Sequence, residues 1–172
     1  MKSLLVLYSF HHNNTEQVAN AIAKVLDAQI KRPQQTDPDE LQRYDLVGFG
    51  SGIYSDKHHK SLFALVEKLP PVNNKKVFIF STSGAPAFAL DGGLEDYAEK
   101  AHLPLREKLQ SKGYTIIDEF MCPGHNTNSF LKAFGGLNKG RPNTKDLKHA
   151  EAFAQRLKQN ALEQIDSPTT DL

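Results

Sequence analysis

Short apolar runs alternate with segments of helical periodicity along this 172-residue sequence. Four runs are long, "SLLVLY" (3–8), "YDLVGFGSG" (44–52), "KKVFIFSTSG" (75–84) and "YTIIDEFMC" (114–122), and "AQIKR" is a shorter fifth. Apolar runs of this length are typical of strands that are buried on both faces. Strands that alternate with helices predict right-handed crossovers and a mainly parallel sheet. The order of the elements therefore predicts an α/β fold with helices on both faces of the sheet.

Helical periodicity begins near Thr15, where Val18 starts a repeat of apolar positions. Further helices are expected over "HKSLFALVEKL", around residues 95–112, and from about Asp146 to Glu163. Because a proline ring interferes with the preceding turn, we expect Pro104 to kink or restart the helix that contains it.

A single domain accounts for the chain, and we expect it to span residues 1–166, followed by a polar tail over residues 167–172. Residues 123–145 are rich in Gly, Asn and Pro and predict a long loop. A loop of this length is either a lid or partner surface, or a loop that merely packs on the surface.

Charge and cysteine content exclude several classes of protein. The formal net charge is +1 and the basic residues form no stripe, so nucleic acid is not expected as a partner. No run approaches the roughly 20 apolar residues of a membrane span, and the apolar part of "MKSLLVLYSF" is too short for a signal peptide. The single cysteine, Cys122, excludes an internal disulfide and fits a cytoplasmic location.

Polar loops follow three of the apolar runs, and they carry the functional information. They read "SFHHNNT", "GSGIYSD" and "STSGAP". The carboxyl ends of parallel strands share one edge of the sheet, where ligands bind in open α/β folds. The first loop also opens a helix, whose N–H groups and dipole attract anions. It has neither the Gly-Lys-Ser/Thr of nucleoside triphosphatases nor a GxGxxG motif. These loops therefore predict a site for a phosphorylated heterocycle, although each one alone would also suit an ordinary turn or capped helix start.

This arrangement resembles the flavodoxin family, whose members have a five-stranded parallel sheet of order 2-1-3-4-5 and bind FMN. The "N-T-E" ending of that family's phosphate loop is matched by Asn14, Thr15 and Glu16. The match is partial, since Asn13 stands where glycine is usual and the histidines 11 and 12 stand where hydroxyl residues are usual.

The resemblance implies a set of cofactor-binding residues. Contacts to the FMN phosphate are expected from Ser9, His11, Asn13, Asn14 and Thr15. The flavin ring is expected to lie between Ser51, Gly52, Ile53 and Tyr54 on one side and Thr82, Ser83, Gly84 and Ala85 on the other. Closure over the site is expected from Gly124, His125 and Asn126. Stacking on the ring is expected from Tyr54 or Phe88, because the chain has no tryptophan.

The remaining histidines and the cysteine have simpler interpretations. Neither the pair at 11–12 nor the pair at 58–59 has a carboxylate or cysteine nearby that would complete a metal site, so no metal is expected. For residues 58 and 59 we expect a solvated helix start. His125 is the candidate for proton transfer to a reduced flavin or quinone, and Cys122 is expected to be a buried apolar residue.

Three functions are compatible with these residues. The first is electron transfer through FMN to a redox partner protein, although flavodoxin carriers are typically acidic and this chain has a pI of about 7.9. The second is an FMN-dependent oxidoreductase that reduces a quinone or other small acceptor, or oxidises a porphyrinogen-like substrate. "GSGIYSDKHHKSL" is similar to a stretch of the menaquinone-dependent protoporphyrinogen oxidases. The third is a module that binds a phosphorylated ligand without turnover.

Overall fold

A computed structural model of the chain describes residues 1–10, 12–86, 90–128 and 135–163, and side chains up to residue 160. Two residues singled out in the sequence, His11 and Phe88, lie outside the described residues, as does the predicted tail over 167–172.

Within the described residues, six strands form the sheet. They are β1 (Ser3–Tyr8), β2 (Gln29–Lys31), β3 (Leu46–Tyr54), β4 (Lys57–His58), β5 (Lys75–Ser83) and β6 (Tyr114–Pro123). Five of them pair in parallel in the order β2-β1-β3-β5-β6, while β4 pairs antiparallel with the end of β3. The predicted five-stranded order is therefore confirmed, and the two-residue strand β4 is an addition that its length hid in the sequence.

The part of the chain that the structure describes also contains four α-helices and two short 3₁₀ turns. The helices are α1 (Asn14–Leu26), α2 (Lys60–Lys68), α3 (Gly93–Gln110) and α4 (Thr144–Glu163); the turns are Pro33–Gln35 and Pro38–Arg43. Of the two effects predicted for Pro104, a kink or a restart of its helix, the restart is wrong, because α3 continues through the proline. Leu105 and Leu109, which follow the proline in α3, are fully buried. Packing of this face against the sheet outweighs the hydrogen bond that the proline cannot donate.

The helices cover both faces of the sheet, as predicted. Helices α2 and α3 pack on one face, where Leu62 and Leu105 join a core with Val47 and Ile79. Helices α1 and α4 pack on the other face, where Phe153 meets Phe78. Strands in the middle of the sheet are buried on both sides, which explains why they read as continuous apolar runs. In the described part of the chain, no helix combines the length and apolarity needed to cross a membrane.

Candidate functional site

The loop between β1 and α1 forms a tight turn that points the start of the helix toward the sheet edge. His12 and Asn13 both adopt the left-handed conformation, with φ values of 54° and 52°. Glycine is usual at the second of these positions in the resembling family, and asparagine is among the residues that tolerate positive φ best. The first N–H groups of a helix have no acceptor within it. That of Glu16 donates to Ser9 Oγ at 3.3 Å, so Ser9 satisfies one of these donors.

Two side chains at the start of α1 bind neighbouring loops. The hydroxyl oxygens of Thr15 and Thr82 lie 2.8 Å apart, and both residues are buried. Asn14 Nδ2 donates to the backbone oxygen of His125 at 2.8 Å. The Asn14 amide oxygen is buried and has no hydrogen-bond partner among the described residues. The loops after β1, β5 and β6 are thereby joined at one place.

Two glycines allow these loops to approach so closely. A Cβ atom at Gly124 would lie 2.8 Å from Asn14 Nδ2, and one at Gly84 would lie 2.7 Å from Asn126 Cβ. Both distances are shorter than atoms at these positions can tolerate. These two positions therefore require glycine for steric reasons.

The segment after β6 folds back over the first loop. The rings of His12 and His125 stack with their centroids 4.4 Å apart, and His12 Nε2 lies 2.7 Å from Thr127 Oγ1. Asn126 forms an antiparallel bridge with Leu137. In its described portion, the predicted long loop thus contacts the turn that precedes α1.

A β-hairpin extends the end of β3 beyond the sheet edge. Ser55 and Asp56 form its turn in the left-handed conformation. Tyr97, at the start of α3, donates its hydroxyl hydrogen to Asp56 Oδ1 at 2.8 Å. Burial, together with this hydrogen bond, raises the pKa of Tyr97 to about 12. The hairpin is therefore held against α3 by a neutral phenol.

Three aromatic rings meet between the hairpin and β1. The rings of Tyr8 and His59 are parallel, with an interplanar angle of 3° and centroids 3.5 Å apart. Tyr54 approaches His59 edge-on at 5.5 Å. Burial, and secondarily Tyr8, raises the pKa of Tyr54, while burial and Lys60 lower the pKa of His59. Of these three rings, that of Tyr54 belongs to the residues predicted to border the flavin ring.

The expectation of a solvated helix start at residues 58 and 59 is wrong for His58. This residue lies in β4 with only 2% of its surface exposed, and its Nδ1 atom is 2.9 Å from Ser51 Oγ. The hairpin turns residue 58 inward because strand pairing with Ile53 fixes its direction. His59 does begin the helix, where its Nδ1 accepts the N–H of Ser61 at 3.3 Å.

Sequence reasoning missed a group of polar residues below the sheet edge. His102 is fully buried in α3, between Ser81 Oγ at 2.7 Å and Glu119 Oε2 at 2.9 Å. Arg106 donates twice to Glu119, at 2.6 and 2.9 Å. The available signal was a polar residue within each of the apolar runs that became β3, β5 and β6, namely Ser51, Ser81 and Glu119.

The predicted site residues in the described part of the chain lie along one edge of the sheet. Parallel pairing places Tyr8 beside Ser51, and Gly52 beside Thr82. Hydrogen bonds fix two more of the predicted residues. Ser83 Oγ accepts the N–H of Ala85, whose own oxygen accepts from Asn138 Nδ2. Their roles in cofactor binding stay predictions.

Among the described residues, no three His, Cys, Asp or Glu side chains are grouped closely enough to hold a metal ion. Cys122 is buried, as expected, and burial raises its thiol pKa to about 12.

Comparison with known sequences identifies relatives over nearly the whole chain. A family model described as a flavodoxin domain matches residues 5–159. An uncharacterized protein of Methanocaldococcus jannaschii is 46% identical over 160 residues, which cover 93% of this chain and 100% of that protein.

Solved structures share the fold at low sequence identity. A flavodoxin from the domain Archaea superposes with a TM-score of 0.66 at 18% identity, covering 94% of this chain and 99% of that one. The oxidised flavodoxin 2 of Bacillus cereus gives a TM-score of 0.67 at 19% identity, covering 93% and 99%. At this identity the likeness concerns the fold, and it agrees with the strand order described above.

Proposed function

Because this chain belongs to the flavodoxin family, we propose that it binds FMN and transfers electrons through the bound flavin. The family and the fold together support a flavin-binding redox protein. The choice of FMN and of electron transfer as the activity is our proposal.

The observation that carries the proposal is the meeting of three loops at the start of α1. Thr15 contacts Thr82, and Asn14 contacts His125. A phosphate held at the helix N-terminus would therefore be bordered by the same loops that are predicted to border the ring. This is the geometry that a phosphorylated heterocycle requires, with its phosphate and its ring system at one edge.

The chemistry of the donors at this turn fits a phosphate group. Two hydroxyls that bond each other use one hydrogen between them, so the pair of Thr15 and Thr82 retains one O–H for an anion. Ser9 accepts an N–H of the helix and keeps its own hydroxyl hydrogen. N–H groups of the first turn add donors that carry no charge. We assign the phosphate to this turn.

The ring is assigned to the space between the hairpin and the loop after β5. Tyr54 offers an aromatic face there, and burial keeps its phenol neutral by raising its pKa. Bound FMN would supply the ability to accept and donate electrons. The chain's own residues would hold the phosphate and shield part of the ring from water. They would leave the rest of the ring open to solvent for electron exchange.

FMN binding is tested by titrating the purified, flavin-free protein with FMN and following the quenching of flavin fluorescence. We expect stoichiometric binding of FMN and much weaker binding of riboflavin, which lacks the phosphate. Equal affinity for the two flavins would contradict the assignment of the phosphate to the turn before α1.

A second candidate function is the reduction of a small acceptor by the flavin. A cleft of about 310 Å³ adjoins the proposed phosphate site and is lined by Tyr8, Ser9, Arg32, Gln34 and Gln35. Guanidinium and amide groups can donate hydrogen bonds to the carbonyl oxygens of a quinone. This cleft favours an oxidoreductase over a carrier that needs only a protein surface.

The two functions differ in what the FMN-loaded protein needs for turnover. An electron carrier is expected to exchange electrons only when a reductase and a redox partner protein are supplied. An oxidoreductase is expected to consume NADH or NADPH with a quinone and no other protein. Measurement of nicotinamide oxidation at 340 nm, with and without a reductase, separates them. Rapid turnover without a partner protein would contradict the carrier.

A further inference from the structure

The polar residues below the sheet edge include buried titratable side chains, which a stable core does not require. We call this group the imidazole network, and its members are Ser51, His58, Ser81, His102, Arg106 and Glu119. Ser51 and Ser81 are direct neighbours across β3 and β5. Each is followed by a residue predicted to border the flavin ring, Gly52 or Thr82. The network therefore adjoins the proposed ring site in two adjacent strands, and Ser51 belongs to both.

Hydrogen counting shows that His102 can exist in two charge states within the same hydrogen bonds. Its Nδ1 atom faces Glu119, and hydrogen bonds from Arg106 and from His102 lower the pKa of this carboxyl to about 2, against the effect of burial, which raises it. An ionised carboxylate only accepts, so Nδ1 carries a hydrogen. Nε2 either accepts from Ser81 Oγ or donates to it. Rotation of one hydroxyl therefore suffices when Nε2 gains a proton.

His58 cannot gain a proton in the same way. The oxygen of Gly52 accepts the single hydrogen of Ser51 Oγ, so Nδ1 of His58 must donate its own hydrogen to Ser51. The other nitrogen, Nε2, is buried and has no partner among the described residues. A proton there would be an unpaired buried donor. Burial, and then the neighbouring His102, lowers the pKa of His58 well below its usual range.

Charged and titratable groups face His102 from neighbouring strands and from its own helix. Glu119 faces it from β6, His58 faces it from β4, and Arg106 lies one turn along its own helix. From α2, Glu67 pairs with Lys108 farther along α3. Because Arg106 and Glu119 cancel each other, a protonated His102 gives the network a net positive charge. A buried positive charge is costly unless an opposite charge compensates for it.

The Ser81–His102–Glu119 arrangement has the hydrogen-bond order of a hydrolytic triad, but its burial rules out that use. Ser81 and His102 have no exposed surface, so no substrate carbonyl can reach the hydroxyl. A nucleophile requires access to the reacting carbon. The arrangement is instead suited to holding a proton.

We propose that His102 takes up a proton when the flavin is reduced, and this inference rests on the proposed function. In the balanced step, a reduced donor loses one electron to the flavin, and a hydronium ion or protonated buffer molecule loses one proton to His102 Nε2, so that the protein gains one electron and one proton. The negative charge gained at the sheet edge stabilises the imidazolium, and the imidazolium stabilises the reduced flavin to the same extent. Glu119, with about 20% of its side chain exposed, connects the network to solvent.

Proton counting during reduction tests this inference. FMN-loaded wild-type protein and the variant His102→Gln are reduced at an electrode in weakly buffered solution between about pH 5 and pH 8, with a pH indicator. Glutamine can retain hydrogen bonds to Ser81 and Glu119 but cannot be protonated. We expect the variant to take up about one proton fewer per flavin in part of this range. The matched control His149→Gln, at an exposed position of α4, is expected to equal the wild type.

A second measurement needs no variant. The imidazole Cε1–H signals of the wild type are assigned by NMR and compared at one pH in the oxidised and reduced protein. We expect the His102 signal to move to the position of a charged imidazole on reduction, while that of His58 does not. An unchanged His102 signal, or an equal proton count in FMN-loaded His102→Gln, would overturn the inference alone. Failure of the wild type to bind FMN would overturn the proposed function as well, and it is detected before any reduction.

Discussion

The hydroxyl groups of Thr15 and Thr82 lie 2.8 Å apart, although 67 positions separate the two residues in the sequence. One threonine lies in the first turn of helix α1 and the other is the penultimate residue of strand β5. Their contact joins the start of α1 to a strand end that is predicted to border the flavin ring. If the phosphate binds where we propose, each hydroxyl has one role in the protein and one toward the phosphate.

Replacement of Thr15 by valine is expected to weaken FMN binding about tenfold, the equivalent of ~1.4 kcal/mol. The hydroxyl donor is lost, and Thr82 is left without its partner, which costs about 1 kcal/mol of folding free energy. Fluorescence titration and urea unfolding measure the two effects separately. Thr115→Val, at an exposed position of β6, is the matched control and should leave FMN affinity unchanged. Unaltered FMN binding in Thr15→Val would mean that the phosphate lies elsewhere.

The left-handed backbone at Asn13 predicts an unusual order of substitutions. Asn13→Gly should retain or raise stability, whereas Asn13→Ala should lose about 1–2 kcal/mol, because a Cβ is strained at positive φ. Asn20→Ala, on the exposed side of α1, should be neutral or stabilising since alanine favours helix. Thermal unfolding of the four proteins provides the comparison. Equal stability of the alanine and glycine variants at position 13 would contradict the φ value of 52°.

Glu119 predicts a particular loss of stability in acid. Its pKa is about 2 in the folded protein and near the ordinary value of 4.5 in the unfolded chain. The ionised group therefore stabilises the fold above pH 4.5, and this contribution disappears as the pH falls from 4.5 toward 2. Glu119→Gln should be less stable than the wild type at pH 7, by on the order of 2 kcal/mol. The difference should shrink toward pH 2.

Urea unfolding at several pH values measures this effect. Glu99→Gln, at an exposed position of α3, serves as the control, and its free energy of unfolding should equal that of the wild type at each pH. If the difference in unfolding free energy between Glu119→Gln and the wild type stays constant from pH 7 to pH 2, the charge of the carboxylate does not stabilise the fold.

Tyr97 is expected to ionise only in strong alkali. Its pKa of about 12 arises from burial and from the hydrogen bond to Asp56. In Tyr97→Phe, the absorbance rise at 295 nm should lose the part that occurs near pH 12. The hairpin turn at residues 55 and 56 should also become more susceptible to proteolysis. Tyr44→Phe, which lies at the far end of the sheet beside Asp45, should leave proteolysis of that turn unchanged.

The long strands were predictable from the sequence because buried parallel strands appear as uninterrupted apolar runs, whereas their order in the sheet was implied by the resemblance to the flavodoxin family. The loop positions followed, since Ser9, Ser51 and Ser83 each stand at or near the end of such a run. Strand β4 was not predictable, because a two-residue pairing leaves no periodic signal. For the same reason the burial of His58 was missed: its direction depends on the turn at Ser55 and Asp56, and nothing in "KHHK" distinguishes the inward histidine from the outward one.

The contacts within the imidazole network could not be predicted from the sequence, for a different reason. His102 and Glu119 are 17 positions apart, and His102 and Ser81 are 21 apart. Their contact depends on how α3 is rotated on the sheet. Periodicity could place Leu105 and Leu109 on the buried face of that helix. It could not show that a histidine on the same face would find a hydroxyl and a carboxylate there rather than solvent.

The hydrogen bond from Asn14 to the backbone of His125 has a consequence for the order of events during synthesis. It joins positions 111 residues apart, so the loop between β1 and α1 leaves the ribosome well before the segment after β6 that completes its surroundings. We therefore expect the flavin to be captured only after translation has passed β6 and the segment beyond it. Ribosome-bound chains of increasing length, assayed for retained flavin, would reveal that threshold as an abrupt step rather than a gradual rise.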